Sequence, residues 1–374
     1  MDFTLTEEQD AIVEVATQVL GGTVTHERLK ELERSGGDRF LPDVWQEVAK
    51  ANLLGIALPE AHGGTGFGIL EACLVLREIG RTCAPVPYLA CVVGAAMPIG
   101  AFGSPDQQAR WLPGVVDGST ILTAALSEAG SYSSPTAPTT TATPDGAGGY
   151  RISGEKWHVA ALDRAARVLV PASTPDGGVV LALVDPAADG VRTEALLTTA
   201  STPECLLVLD GVAVGADDVL GGDMPAGAEA LAWTIDRCVV ATCAVQAGVC
   251  RQALDLTARY TSERHQFGVP IATFQAVAHR AADAYTDALG VETTMLQAAW
   301  RLAEGLPADD EVHIAKFWAA EGGQRMIHGC QHLHGGIGVD TDYPLHRCFR
   351  WSKELELTFG GATEHLRRLG ATLA

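Results

Sequence analysis

A cation, an aromatic ring and an amide stand close together in the stretch from Glu263 to Asp283, ERHQFGVPIATFQAVAHRAAD. Arg264 carries a fixed charge and a planar fork of donors that can grip a phosphate. Phe267, in a tight Phe-Gly turn, can cover a flat ring. Gln275, at the opening of an amphipathic helix, offers both a donor and an acceptor to a polar edge. Together they suit a phosphorylated molecule that also carries a heterocycle. Other reactive residue types are less suggestive. His328 and His332 are one helical turn apart with His334 nearby, but a metal site needs further carboxylates or thiolates in convergent geometry, and no metal is expected. Cys238, Cys243 and Cys250 fall in an apolar helical pattern, where cysteine acts as a small buried hydrophobe. Ser127 and Ser133 have no histidine and aspartate in a triad context, so hydrolase chemistry has no support.

The elements that must hold such a site are set by a chain of 374 residues, 47% hydrophobic and 19% charged, which suits an ample globular core. A formal net charge of -20 argues against sequence-independent nucleic-acid binding and against docking on anionic membranes. The opening MDFTLTEEQD is acidic where a targeting peptide would be basic. The apolar run from Tyr88 to Phe102 is too short to span a bilayer and contains Pro98. The nine cysteines form no CxxC pair. These features predict a soluble, cytoplasmic protein with buried thiols.

Texture divides the chain into three segments. Residues 1–120 read as helices, with Thr6 available as an N-cap and apolar residues at Ile12, Val13, Val15, Ala16, Val19 and Leu20 near a 3.6-residue period. Trp45–Leu54 and Ile69–Ile79 repeat that texture, separated by a glycine-rich loop over 59–66. Residues 121–225 break into short runs, and strands are predicted at Arg151–Val159, Ala166–Val170, Val179–Val184 and Cys205–Leu209. These make a small antiparallel β domain. From 226 to 374 helical periodicity returns over four or five long segments. Helices, then strands, then helices excludes βαβ alternation and gives the α+β class. Neither a GxGxxG after a strand nor a GxxxxGK loop occurs, so a dinucleotide would be bound by another route.

Six stretches in order resemble the acyl-CoA dehydrogenase family over nearly the whole chain. They are FTLTEEQ at 3–9, Leu58-Pro59-Glu60 with Gly63-Gly64, Leu126-Ser127-Glu128, Ile152-Ser153-Gly154-Glu155-Lys156, the Arg264 to Gln275 segment, and His334-Gly335-Gly336-Ile337-Gly338 with Tyr343-Pro344. The resemblance implies an N-terminal helical domain, a central β domain and a C-terminal four-helix bundle. It implies FAD with its adenine end contacted by a neighbouring subunit, through Arg264, Phe267, Gln275, His332, Gly335, Gly336, Ser127, Ser133 and Thr363. The implied reaction is α,β-dehydrogenation of an acyl-CoA thioester: a carboxylate removes the α-proton and the β-hydride passes to flavin N5. An electron-transfer flavoprotein is the implied acceptor.

The chain also departs from that family. The usual catalytic glutamate of a Tyr-Glu-Gly-Thr motif meets Leu357-Thr358-Phe359-Gly360-Gly361-Ala362-Thr363, which puts Gly360 or Gly361 at the base position; flanking Glu356 and Glu364 fit no register that keeps the motif glycine. Some family members carry the base before an arginine on a bundle helix, and the matching pair is Asp236-Arg237. Asp236 is then either the base or a structural carboxylate, with Arg237 at the substrate. Beside the flavin, Trp-Ile-Thr becomes His158-Val159-Ala160, Gly-Ser becomes Tyr132-Ser133, and a glutamine becomes His332 with Gln331 alongside. An intact adenine side with an altered isoalloxazine side fits a homotetramer or an α2β2 heterotetramer in which a related chain completes the site. A flavin oxidase or monooxygenase of the same fold, or a binding module without flavin, stays open. So does the acyl group: branched, cyclic, steroid-derived or carrier-bound.

Overall fold

Helices open the chain because caps and periodicity agree there. The computed structural model describes residues 3–36, 39–130, 135–222 and 227–372; Tyr132 and Ser133 lie outside them. Thr6 caps α1 (Glu7–Thr23) through a reciprocal box with Gln9, which satisfies two otherwise orphaned N–H groups. There follow α2 (His26–Arg34), α3 (Pro42–Lys50), α4 (Ile69–Thr82), a π-helical stretch Leu89–Ala96 that runs into α5 (Met97–Phe102), and α6 (Pro105–Val116). The strands are β1 (Leu122–Ala124), β2 (Thr141–Pro144), β3 (Tyr150–Ala160), β4 (Arg167–Ser173), β5 (Val179–Val184), β6 (Val191–Leu196) and β7 (Glu204–Val214). Helices then return as α7 (Ala228–Glu263), the short ribbon β8 (His265–Gln266) and β9 (Val269–Pro270), α8 (Gln275–Ala303), α9 (Asp309–Phe317), α10 (Gly323–His334), α11 (Leu345–Leu357) and α12 (Ala362–Thr372).

One unit comprises residues 40–72 and 85–238 and contains the sheet, ordered β1-β4-β2-β3-β7-β6 with β5 also on β4. The antiparallel expectation holds for β2–β3, β3–β7, β4–β5 and β6–β7 and fails for β1–β4 and β2–β4, which run parallel. The intervening chain accounts for this: β1 and β4 are joined through β2 and β3, and only such a long connection permits parallel pairing. Val159, Val168, Val170, Leu207 and Val212 fill the sheet's buried face.

The other unit comprises residues 1–39, 73–84 and 239–374. Within it α4 and α7 cross at backbone contact: a Cβ on Gly80 would lie 2.1 Å from the Val245 carbonyl oxygen, and one on Gly248 would lie 1.8 Å from that of Arg77. No side chain can be accommodated without separating the helices. Gly248→Ala is therefore expected to lose about 3 kcal/mol, the upper end of overpacking costs, as a lower urea midpoint.

Eight of the nine cysteines are buried and Cys205 is half-buried. Burial pushes Cys91, Cys238 and Cys243 up to about 12, far from thiolate chemistry at neutral pH. Among the described residues no helix is long and apolar enough to cross a membrane.

Candidate active site

The cationic segment folds as a hairpin. Arg264 N–H donates to the Tyr260 carbonyl at the end of α7, and Ile271 N–H closes back on the Arg264 carbonyl at 2.8 Å. Phe267 (φ +54°) and Gly268 (φ +82°) form the turn, both in the left-handed region that the twist of a two-residue hairpin requires. Phe267 is 93% exposed, touched edge-on by Phe274 with ring centroids 6.1 Å apart. The side chains of Arg264 and Gln275 are exposed, and neither has a partner among the described residues.

The glycine turn after α10 is tied to the base of that hairpin. His334, buried, stacks on Tyr260 with centroids 4.5 Å apart and an interplanar angle of 18°. Its Nδ1 lies 2.8 Å from the Cys330 carbonyl and its Nε2 3.1 Å from the Tyr343 hydroxyl. A carbonyl only accepts, so Nδ1 bears the proton and Nε2 accepts from Tyr343. Burial lowers the His334 pKa, which keeps this neutral tautomer in place. Gly335 follows at φ +63°, and nothing lies within 4 Å of a Cβ placed on Gly335 or Gly336. His332 is exposed and, like Arg264, without a partner among the described residues. The structure thus gathers Arg264, Gly335 and Gly336 around the Tyr260–His334 stack; that stack carries the arrangement and had no place among the candidate residues.

In the sheet-containing unit, Ser127 forms a bridge to Trp157, whose N–H donates to the Ser127 carbonyl at 2.9 Å. The adjacent Glu128 accepts from Lys156 Nζ at 2.7 Å and from both the N–H and the hydroxyl of Thr139 and of Thr140. Burial alone would raise the Glu128 carboxyl, but the ion pair and these hydrogen bonds outweigh it and hold it at about 2. This buried pair joins two sequence motifs that show no link when each is read alone.

One residue beyond Trp157, two β3 residues oppose one of β7 between Lys156 and Val159. This bulge puts His158 in the left-handed region at φ +58°, and its Nδ1 meets Glu204 Oε2 at 2.8 Å. Bulges re-aim side chains, and here the imidazole is turned onto a carboxylate, with no hydroxyl following at Ala160.

Asp236 and Arg237 are half-buried on α7. The Arg237 guanidinium lies 3.6 Å from the Trp233 ring centroid and donates to the Trp233 carbonyl at 3.2 Å. Phe102 meets Trp233 edge-on, with centroids 5.3 Å apart. Burial pulls Arg237 down to about 10, opposed by the charge of Asp236, so it stays cationic at neutral pH. The i, i+4 spacing of Trp233 and Arg237 was the signal for this clamp.

In the other unit, Phe359 (φ +59°) and Gly360 (φ +104°) turn the chain between α11 and α12. Glu356 is paired to Lys353 at 2.6 Å and Glu364 to Arg368 at 3.1 Å, so both flanking carboxylates are occupied. Thr363 is exposed in the first turn of α12.

The helix–sheet–helix order makes this an α+β protein, and its exposed cation, ring and open glycine turn suit a phosphorylated, ring-bearing ligand. Two family descriptions match it: "Acyl-CoA dehydrogenase, N-terminal domain" over residues 6–119 and "Acyl-CoA dehydrogenase, C-terminal domain" over residues 226–373. The chain is 40% identical over 383 residues to acyl-CoA dehydrogenase FadE27 of Mycobacterium tuberculosis, covering 100% of this chain and 99% of the relative. It superposes on a chain of the ChsE4-ChsE5 complex from Mycobacterium tuberculosis with a TM-score of 0.92 at 40% identity, covering 100% and 99% of the two chains. A chain of the Tcur3481-Tcur3483 steroid ACAD gives a TM-score of 0.90 at 43% identity, with 99% and 98% covered. The chain belongs to the acyl-CoA dehydrogenase family and is an oxidoreductase of that type.

Proposed function

We propose that the chain catalyses FAD-dependent α,β-dehydrogenation of an acyl-CoA thioester, with Asp236 as base. The observation that carries this reading is the Asp236–Arg237 pair, held on α7 by the Trp233 stack. Arg237 keeps a positive charge next to Asp236, whose carboxylate would take the α-proton. The guanidinium donors not used on the Trp233 carbonyl would be available to polarise an acceptor oxygen of the thioester. Aspartate is one methylene shorter than glutamate, so the acyl group must approach by roughly one C–C bond, and placement is strict. Bound FAD supplies the hydride acceptor, and an electron-transfer flavoprotein takes the electrons onward.

The residues present fit FAD on one side. Among the described residues, Arg264, Gln275 and His332 offer polar groups without partners, and space lies open over Gly335 and Gly336 for a pyrophosphate. Beside Ser127, the buried Trp157 indole nitrogen has no partner among the described residues. The exposed Phe267 ring suits the adenine end of a cofactor held with a neighbouring subunit. Segments 1–120, 121–225 and 226–374 are the corresponding domains, a division supported by the spans of the family matches.

A second reading, favoured by His158–Glu204, makes the chain half of a heterotetramer in which a related chain completes the flavin site. The similarity to chains of the two-part assemblies named above supports it, and the steroid named for one of them supports a steroid-derived acyl group. The discriminating experiment measures released FAD per chain, for the chain expressed alone and beside a related family member. About one FAD per chain alone supports a homotetramer; FAD only on co-expression supports the heteromer; none in either case sinks both. In the FAD-bearing form, Arg264→Ala is expected to weaken flavin retention about tenfold or more, the scale of one charge-assisted hydrogen bond.

A further inference from the structure

Helices α1, α2, α4, α7 and α11 line a half-open cavity of about 250 Å³. All of its walls belong to the unit of residues 1–39, 73–84 and 239–374. Pockets for drug-sized ligands run to about 300–1,000 Å³, so this one suits a smaller molecule. Gly21 of α1 is part of the wall, and nothing lies within 4 Å of a Cβ placed there. A side chain at that position would take up the space.

Part of the wall is charged and under-bonded. Glu78 is 4% exposed, yet its carboxylate accepts only from the Thr17 hydroxyl at 3.2 Å and from Arg77 Nε at 3.4 Å. A carboxylate has room for about four donors. Arg81 reaches Glu78 and Asp255 at 3.6 Å each, beyond hydrogen-bond range. The Gln252 amide has no partner among the described residues. Neighbouring charges have nearer mates: Arg347 lies 2.7 Å from Glu33, Arg77 2.8 Å from Glu292, and Asp255 3.3 Å from Arg251. Glu78 and Arg81 are left facing the cavity, one of each sign. The rest of the wall includes buried Val24, Leu29 and Cys348, which are apolar.

A buried charge is costly unless it is paired and hydrogen-bonded, and this pair is neither closely matched nor saturated. A phosphate in the cavity would meet the Glu78 carboxylate, and a simple amine would meet the Arg81 guanidinium. A molecule carrying both charges can lie antiparallel to the pair and meet neither repulsion. In an α-amino acid the ammonium nitrogen and the carboxylate carbon are roughly 2.5 Å apart across one Cα. That spacing suits two side chains 3.6 Å apart. We propose that this cavity binds a small aliphatic α-amino acid. Its ammonium meets Glu78, its carboxylate meets Arg81 and Gln252, and its side chain packs on Val24, Leu29 and Cys348. The site is separate from the flavin chemistry, and neither reading depends on the other.

The test is calorimetric titration of the full-length protein, in the assembly it forms, with L-leucine, isopentylamine and 4-methylpentanoate. The second probe lacks the carboxylate and the third lacks the ammonium. Leucine is expected to saturate one site per chain, and each one-pole analogue to bind about tenfold more weakly or worse, the scale of one charge-assisted hydrogen bond. Arg81→Gln should weaken leucine by a similar factor. Gly21→Leu fills the space without touching either charge, so it should abolish binding while the thermal midpoint holds or rises, since leucine suits a helix better than glycine. No leucine binding would overturn the proposal and leave a hydrated crevice. Binding of either analogue, or of inorganic phosphate, as strong as that of leucine would overturn it too, as would wild-type affinity in a folded Gly21→Leu variant. If Gly21→Leu does not fold, Arg81→Gln decides: undiminished leucine binding there sinks the assignment.

Discussion

Asp236→Asn lowers substrate-driven dehydrogenation by about 10²–10⁴-fold, the range spanned by loss of a positioned general base. The asparagine keeps the shape of the side chain and cannot take a proton, so the loss should fall on kcat. Acyl-CoA binding should change little, because Arg237 retains its stack on Trp233. Rapid mixing of the FAD-bearing assembly with acyl-CoA reads this directly as flavin bleaching. Bleaching at the wild-type rate would show that the base lies elsewhere, on this chain or on a related one, and would leave Asp236 as a structural carboxylate.

The largest stability effect belongs to Glu128. Glu128→Ala strands the Lys156 ammonium, which has no exposed surface and is 2.7 Å from the carboxylate it would lose. Breaking one partner of a buried pair costs about 3–5 kcal/mol, enough to threaten the fold of a marginally stable protein. Burial already drives the Lys156 pKa down, so the stranded side chain would shed its proton and soften part of that cost. Urea unfolding should show the lower midpoint, and Glu128→Ala with Lys156→Met should be less damaging than Glu128→Ala alone. The pair also carries a pH signature. The Glu128 pKa is lowered from 4.5 to about 2, so its stabilisation is fully present above 4.5 and is lost as pH falls through 2.

What could be read from the chain depended on whether the responsible contact was local. Thr6 was legible as an N-cap from its place just before the helix, and its reciprocal partner Gln9 stands only three residues on. β3, β4, β5 and β7 bury alternate or continuous apolar residues, and so were found. β6 was not, because four of its residues point to solvent and carry no pattern. β2 hid inside a Thr/Pro patch, and β1 has only three residues. The site divides the same way. Arg264, Phe267 and Gln275 occupy one short stretch of chain, whereas Glu128 and Lys156 lie 28 residues apart. Gly248 carries no signal in the sequence, because the Arg77 carbonyl that would lie 1.8 Å from its Cβ belongs to another helix.

Phe267 has a further consequence for anyone engineering this protein. A bulky side chain in the left-handed region at φ +54° carries a backbone penalty of about 1–2 kcal/mol that glycine or asparagine would relieve. Almost none of its ring is covered in the isolated chain, so nothing there repays the penalty. A directed-evolution screen that selects only for thermal resistance of the single chain would therefore enrich Phe267→Gly or Phe267→Asn. Its winners would be tougher chains that had lost the exposed ring proposed to meet the adenine end of a cofactor.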